Sequence, residues 1–212
     1  MEAHIVHLSD LHFKNDAENR KRLEYLLDDL TRLKTSGPIY TAFTGDLVNA
    51  GDNQSDYEFL FDLLIAPLAE LGHEVLTVPG NHDVQRTATS EDFTDGYLKD
   101  TGSSYLFGGP GDIAAPDKVQ VQNPLSNYMQ LEELLGPYDQ RSYYGYAKTD
   151  GSISFVGLNS TWLSRSRTTA ESDRGKLRVE PYVLEKLAKS VPRNNLKVAL
   201  LHHPLDWLEE HT

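Results

Sequence analysis

Four short apolar segments of the chain each end directly on side chains that bind metals or move protons. The segments are "HIVHLSDLH", "IYTAFTGD", "EVLTVPGNHD" and "LKVALLHH". Two stretches with leucines at helical spacing separate the first three, and the earlier stretch is predicted to run from Asn15 or Asp16 to Gly37. A strand–helix–strand–helix–strand order predicts a largely parallel sheet with crossover helices. The chain is therefore predicted to be an α/β protein.

The polar residues at the ends of these segments are predicted to meet in space, because the carboxyl ends of parallel strands share one edge of a sheet. They are Asp10, His12, Asp46, Asn81, His82 and His202. Asp10 and His12 are two residues apart, so a continuing strand would direct both side chains to the same side. The chain has no cysteine, and carboxylate, amide and imidazole ligands together favour divalent Mn, Fe or Zn over calcium.

The rest of the chain does not continue the alternation of strands and helices. Residues from about 85 to 137 are rich in Gly, Pro and Ser and are predicted to form an insertion over the active-site edge. "RSYYGYAKTDGSISFVGLN" predicts two strands joined by an Asp-Gly turn. A helix is predicted from Pro181 to about Ser190, and its inward face is predicted to carry Val183, Leu184 and Leu187.

Composition limits the classes of protein that fit. A chain of 212 residues with 39% hydrophobic content suits one globular domain. The net charge of −12 disfavours binding to nucleic acid through protein charge alone. The sequence begins without a basic leader or a long apolar segment, so we expect a cytoplasmic protein that does not interact with membranes.

Four motifs in order, D-x-H, G-D-x-x-N, G-N-H-D and H-H-P, resemble those of the calcineurin-like metallophosphoesterase superfamily. The resemblance extends from Asp10 to Pro204. It implies a four-layer sandwich in which two packed, mostly parallel or mixed β-sheets are flanked by helices. It also implies two divalent metal ions that together activate a water and hold phosphate oxygens.

The resemblance also implies a role for each matching residue. Asp10 and His12 resemble ligands of the first ion, Asp46 resembles the bridging ligand, and Asn81 and His202 resemble ligands of the second ion. His82 resembles the residue that contacts the phosphate and protonates or stabilises the leaving oxygen, and Asp83 is expected to orient it. Asn49 is expected to support the ligands, while His203 is expected either to face the substrate or to cap its strand.

The implied function is metal-dependent phosphoester hydrolysis, closest to phosphodiesterases that act on cyclic nucleotides and other small phosphodiesters. Two alternatives stay open, a nuclease of the DNA-repair type and a sensory or interaction module with little activity. The family has a later motif, G-H-x-H, that supplies one histidine to each ion. Nothing in these 212 residues matches it, so we expect the N-terminal part of a longer protein with further domains after it.

Overall fold

The apolar segments form two β-sheets. The structure is a computed structural model that describes residues 2–85, 123–164, 174–175 and 177–208. Its strands are β1 His4–Leu8, β2 Ile39–Thr44, β3 His73–Val78, β4 Gln140–Ser142, β5 Gly145–Asp150, β6 Ile153–Leu158 and β7 Leu196–Leu200. Its helices are α1 Ala17–Thr31, α2 Gln54–Leu60, α3 Ala66–Glu70, α4 Ser126–Leu134 and α5 Pro181–Ser190, with a π-helical turn Phe61–Ile65 between α2 and α3. Three-residue 3-10 turns are found at Asn81–Asp83, Asn123–Leu125 and Leu205–Trp207.

The first sheet has the order β1-β2-β3 and is parallel throughout, which confirms the predicted order of strands and crossover helices. The second sheet has the order β4-β5-β6-β7. Its first three strands are antiparallel, and β7 lies parallel to β6. The predicted hairpin is found as β5–β6, which turns at Gly151 and Ser152 directly after Asp150. The fourth strand with a polar end therefore belongs to the second sheet.

Three groups of buried apolar side chains separate four layers. Tyr40, Leu76, Phe155 and other residues pack between the two sheets. A second group joins the outer face of the first sheet to α1, α2 and α4, and a third joins the outer face of the second sheet to α5. The predicted sandwich of two sheets flanked by helices is confirmed. Within the described residues, no helix is both long enough and apolar enough to cross a membrane.

Two predicted helices differ in detail from the observed ones. The Asp16 side chain caps α1 by accepting a hydrogen bond from the Asn19 amide at 2.9 Å, but the helix ends at Thr31 instead of Gly37. In α5, Val183 and Leu187 are buried, whereas Leu184 is 41% exposed. Residues four apart share one face of a helix, and Leu184 lies beside that face.

Part of the predicted insertion is described, and it forms a layer of the fold. Leu125, Tyr128 and Leu131 belong to the core on the outer face of the first sheet. The Tyr128 hydroxyl also lies 2.9 Å from Thr77 Oγ1 on β3. Residues 125–135 therefore pack against the outer face of the sheet, and at its carboxyl end the Asn127 side chain donates to the Gly51 carbonyl at 2.9 Å. Residues 86–122 of the predicted insertion lie outside the described residues.

Candidate metal centre

The loops after β1 and β2 run side by side and hold three acidic or imidazole side chains in unusual backbone conformations. Asp10, His12 and Asp46 have φ angles of 57°, 45° and 52°. This left-handed conformation costs a residue other than glycine about 1–2 kcal/mol. The loops are joined by hydrogen bonds from the Asp10 amide to the Gly45 carbonyl (3.1 Å) and from the His12 amide to the Asp46 carbonyl (2.9 Å).

These conformations correct the expectation that a continuing strand directs Asp10 and His12 to the same side. The strand ends at Leu8, so Asp10 and His12 do not meet through a continuing pleat. They meet because the turns bring His12 Nε2 to 3.8 Å from Asp10 Oδ1. Backbone strain of this kind is concentrated at functional sites, where the surrounding structure holds it in place.

Asp46 lies at the centre of the group and is only 3% exposed. Its Oδ2 is 3.6 Å from His12 Nε2, and its Oδ1 is 3.6 Å from His202 Nε2. The Oδ1 atom also accepts a hydrogen bond from the His82 amide at 2.8 Å, which fixes the plane of the carboxylate. Each carboxylate oxygen thus faces a different imidazole, one from each sheet.

His202 joins the group from the end of β7. Its Nδ1 lies 2.7 Å from the Thr44 carbonyl oxygen, which can only accept, so Nδ1 carries the proton. In the neutral ring Nε2 then bears a lone pair, and it lies 3.2 Å from Asn81 Oδ1 and 3.6 Å from Asp46 Oδ1. Three electron-pair donors therefore face one another, an arrangement that a cation stabilises.

Two glycines make room for these contacts, although neither was predicted as a site residue. A Cβ on Gly45 would lie 2.5 Å from His202 Nδ1, and the φ angle of this residue is +89°. A Cβ on Gly80 would lie 2.2 Å from both the amide nitrogen and Oδ1 of Asp46. The sequence signal for both is that each glycine directly precedes a predicted ligand.

His82 lies beside this group and is held through its own ring. Its Nδ1 lies 3.0 Å from the Asn49 carbonyl oxygen, so Nδ1 carries a proton and Nε2 is the atom left for other partners. The ring packs edge-to-face on His12, with centroids 4.5 Å apart and an interplanar angle of 87°. Asn49 thus contacts His82 through its main chain.

The hydrogen bonds correct the role predicted for Asp83. This residue is fully buried, and its carboxylate accepts from the amides of Gly80 (2.8 Å), Leu47 and Val48 (both 3.3 Å) and from the Tyr57 hydroxyl (3.0 Å). Burial raises the pKa of Asp83 to about 6, although the bonds from Gly80, Tyr57 and Leu47 act in the opposite direction. Asp83 therefore links two loops through main-chain amides. The His82 ring is oriented by the Asn49 carbonyl, and the Asp83 carboxylate does not have the orienting role that was predicted for it.

His203 lies next to His202 and is 4% exposed. Its Nδ1 lies 2.9 Å from the Ser160 hydroxyl. Burial lowers the pKa of His203 to about 3, with a further lowering from His202 and an opposing effect of Asp10, so the ring is neutral. Ser160 was not predicted as part of the site. The sequence does contain a signal for it, because "NST" comes directly after β6, just as the predicted ligands come directly after their strands.

The donor atoms fit divalent ions. Asp10, Asp46 and His202 form one group, and His12, Asp46 and His82 form another, with the donor atoms of each group within 4.8 Å of one another. Separations of 3.6–3.8 Å between imidazole and carboxylate atoms are too long for hydrogen bonds. They are shorter than twice a zinc–nitrogen or zinc–oxygen bond of about 2.0–2.2 Å, so two such atoms can bind one ion.

The model of the calcineurin-like phosphoesterase family matches residues 3–212. The chain belongs to this family. Calcineurin-like phosphoesterases are hydrolases that act on phosphoesters with divalent metal ions, and the two groups of candidate ligands agree with that chemistry.

A curated relative extends the comparison to a longer protein. The chain is 22% identical over 218 residues to the uncharacterized metallophosphoesterase-like protein YydB of Bacillus subtilis (strain 168). The match covers 99% of this calcineurin-like phosphoesterase chain and 44% of YydB. The chain therefore spans less than half the length of this relative.

Proposed function

We propose that the chain is a phosphodiesterase that hydrolyses nucleotides or other small phosphodiesters with two divalent ions, Mn, Fe or Zn. Asp10, His12 and Asp46 would hold the first ion. Asp46, Asn81 and His202 would hold the second. His82 is proposed as the catalytic residue that contacts the phosphate.

The position of Asp46 carries this proposal. Its two oxygens each lie 3.6 Å from a different imidazole, that of His12 on one side and that of His202 on the other. A carboxylate at 3% exposure with no cation on either side would be costly to bury. Two ions held by Asp46 would neutralise both of its oxygens, and a pair of divalent ions supplies the chemistry for hydrolysis of a phosphoester.

When bound, the two ions supply charge neutralisation for the phosphate and lower the pKa of a water that attacks it. The protein's own contribution to the leaving group comes from His82. The Asn49 carbonyl holds Nδ1–H at 3.0 Å, which leaves Nε2 as the ring atom that can contact the leaving oxygen. In its protonated form, His82 would donate the Nε2 proton to that oxygen and so act as a general acid.

The loops around His82 keep its ring in place during this transfer. The Gly51 amide donates to the His82 carbonyl at 2.7 Å, and the His82 amide donates to Asp46 Oδ1 at 2.8 Å. Asp83 ties the same turn to the loop after β2 through its bonds to the amides of Leu47 and Val48. The proposed acid and the proposed bridging ligand are therefore fixed to each other through the main chain.

The net charge of −12 supports a small substrate over a long nucleic acid, since a polyanion would be repelled by the surface. The test compares three substrates in the presence of Mn²⁺, namely bis-aryl phosphate, aryl phosphate and single-stranded DNA. We expect hydrolysis of the bis-aryl phosphate to be fastest. Faster hydrolysis of the monoester would replace the proposal with a phosphatase, and faster cleavage of DNA would replace it with a nuclease.

The late G-H-x-H motif gives a second test of the two-ion assignment. With three protein ligands per ion, the 212 residues are expected to bind Mn²⁺ weakly. A longer polypeptide that continues through a G-H-x-H motif is predicted to bind two ions more tightly and to hydrolyse bis-aryl phosphate faster. Equal affinities and rates for the two polypeptides would show that this motif is dispensable here.

A further inference from the structure

We propose that Ser160, His203 and Trp207 form a bracket that positions the His202 ring for the second metal ion. This inference rests on the proposed role of His202 and names three residues that support it. Together they are called the Ser160–His203–Trp207 bracket. Its members are positioning residues, since they act on the ion only through His202.

The pairing of β6 with β7 explains why Ser160 meets His203. The two strands are parallel, and Gly157 pairs with Leu200 at their carboxyl ends. Continuing this register by three residues on both strands places Ser160 beside His203. The observed 2.9 Å separation between Ser160 Oγ and His203 Nδ1 agrees with this. Ser160 is fully buried and His203 is 4% exposed, so water does not compete for this bond.

Trp207 holds the other side of the His203 ring. It ends the 3-10 turn Leu205–Trp207, and its amide donates to the Pro204 carbonyl at 2.9 Å. Its carbonyl in turn accepts from the Gly175 amide at 2.8 Å. The Trp207 and His203 rings are stacked, with centroids 5.7 Å apart and an interplanar angle of 24°. A short turn with fixed ends thus supplies a flat surface against His203.

The bracket limits the orientation of His202. The His203 ring packs edge-to-face against the His202 ring, with centroids 4.7 Å apart and an interplanar angle of 76°. The hydrogen bond from Nδ1 to the Thr44 carbonyl fixes one point of the His202 ring but leaves it free to tilt about that bond. The contact with His203 opposes the tilt, and Nε2 is kept toward Asp46 and Asn81.

His202 is therefore held from both sheets. Thr44 ends β2 of the first sheet, and the Ser160–His203–Trp207 bracket lies in the segments that follow β6 and β7 of the second sheet. Residues that orient a metal ligand commonly change metal affinity by 10–100-fold when they are replaced. A bracket that only fills space would change the stability of the fold and leave metal affinity unchanged.

The experiment separates these two outcomes with the 212-residue chain and Mn²⁺ as the probe. Ser160→Ala removes the hydroxyl, and His203→Phe keeps an aromatic ring but removes Nδ1. Thr161→Val is the matched control, because its buried hydroxyl lies on the same loop and bonds to Asn159 Oδ1 at 3.0 Å instead of to His203. Calorimetric titration gives the affinity for each ion, and thermal unfolding without metal gives stability.

We expect Ser160→Ala and His203→Phe each to weaken the binding of one of the two ions by 10–100-fold. The double variant should lose no more than either single variant, because both remove the same bond. Thr161→Val should lower the unfolding temperature without weakening Mn²⁺ binding. If Ser160→Ala does not fold, His203→Phe and Trp207→Leu give the same comparison.

Wild-type affinity in the bracket variants, with loss of one ion in His202→Ala, would overturn the bracket and leave the proposed function intact. Unchanged binding in His202→Ala would instead overturn the second metal site itself, and the bracket with it. Equal losses in Thr161→Val and Ser160→Ala would show that affinity follows stability alone, which also overturns the bracket.

Discussion

The two sheets contribute unequally to the candidate site. All of the proposed ligands except His202 follow strands of the first sheet, as does the proposed acid His82. The second sheet contributes His202 at the end of β7 and, beside it, Ser160 and His203. The first sheet can place the ligands of one ion by itself, because its loops are bonded directly to one another. The position of the second ion depends on how the two sheets pack.

This difference explains where backbone strain is found. The three residues with left-handed backbones other than glycine, among those that the structure describes, are Asp10, His12 and Asp46. All of them lie in the loops of the first sheet. On the second sheet, His202 packs against the His203 ring, which in turn stacks on Trp207. The two halves of the site therefore use different means of support, and each can be perturbed separately.

The largest effect is expected from Asp46→Asn, because Asp46 faces both halves of the site. An amide is neutral and offers one oxygen, so it cannot bridge two cations. We predict loss of at least one ion and near-complete loss of phosphoesterase activity. Metal analysis and a bis-aryl phosphate assay check this prediction.

A second buried carboxylate supplies the matched control for Asp46. Asp56 is 2% exposed, and its Oδ1 accepts from the Asn15 amide at 3.0 Å. Asp56→Asn preserves an oxygen for that bond, so Mn²⁺ content and turnover should stay near those of the unmodified chain. Full metal content with normal turnover in Asp46→Asn would contradict the assignment of two ions.

The next largest effect is expected from His82→Ala, which tests the first sheet alone. The proposed role is proton donation, so metal content should change little while the rate falls by roughly 10²–10⁴. The loss should be smaller for substrates with good leaving groups, which need less protonation. His12→Ala is the comparison, since removing a proposed ligand should lower both metal content and rate. An equal loss for all leaving groups would show that His82 is not the acid.

Gly45→Ala tests the contact between the two sheets. The new methyl group would lie 2.5 Å from His202 Nδ1 and would displace the ring from the Thr44 carbonyl. We predict that one ion binds 10–100-fold more weakly. Gly72→Ala is the matched control, because its φ angle of +86° is nearly the same but nothing lies within 4 Å of the added Cβ. Both variants should lose about 1–2 kcal/mol through backbone strain, and Gly45→Ala should lose more because its Cβ would also lie 2.8 Å from Gly80 Cα. Equal Mn²⁺ affinities in the two would contradict the predicted clash.

The sequence predicted the first sheet and its polar ends well, because alternating strands and helices leave little freedom in a parallel sheet. It did not predict the left-handed backbones of Asp10 and His12, since these depend on hydrogen bonds to the neighbouring loop. The sequence also led us to expect that Asp83 orients the His82 ring, but the Asp83 carboxylate accepts hydrogen bonds from main-chain amides instead. Side-chain direction after a strand ends is set by tertiary contacts that no spacing rule contains.

The smallest effect is expected at the opposite edge of the two sheets. The Tyr40 hydroxyl on β2 donates to Asp150 Oδ2 at the end of β5, at 2.8 Å. Tyr40→Phe removes this bond between the sheets and keeps the ring that packs on Phe155. We predict a loss of about 1 kcal/mol in the free energy of unfolding. Mn²⁺ affinity should not change, because this bond lies at the end of the sheets opposite to the carboxyl ends of β1, β2, β3 and β7.

The effect of Tyr40 should also depend on pH. Burial, together with the Asp150 carboxylate, raises the pKa of Tyr40 from its usual 10 to about 12. A raised pKa means that the folded protein holds the proton more tightly, so this stabilisation is complete below pH 10 and is lost as the pH rises toward 12. The difference in urea midpoint between the wild type and Tyr40→Phe should therefore shrink over that range. A difference in urea midpoint that stays constant with pH would show that the hydroxyl is not buried against Asp150. A change in Mn²⁺ affinity in Tyr40→Phe would show that the site depends on the packing of the sheets along their whole length.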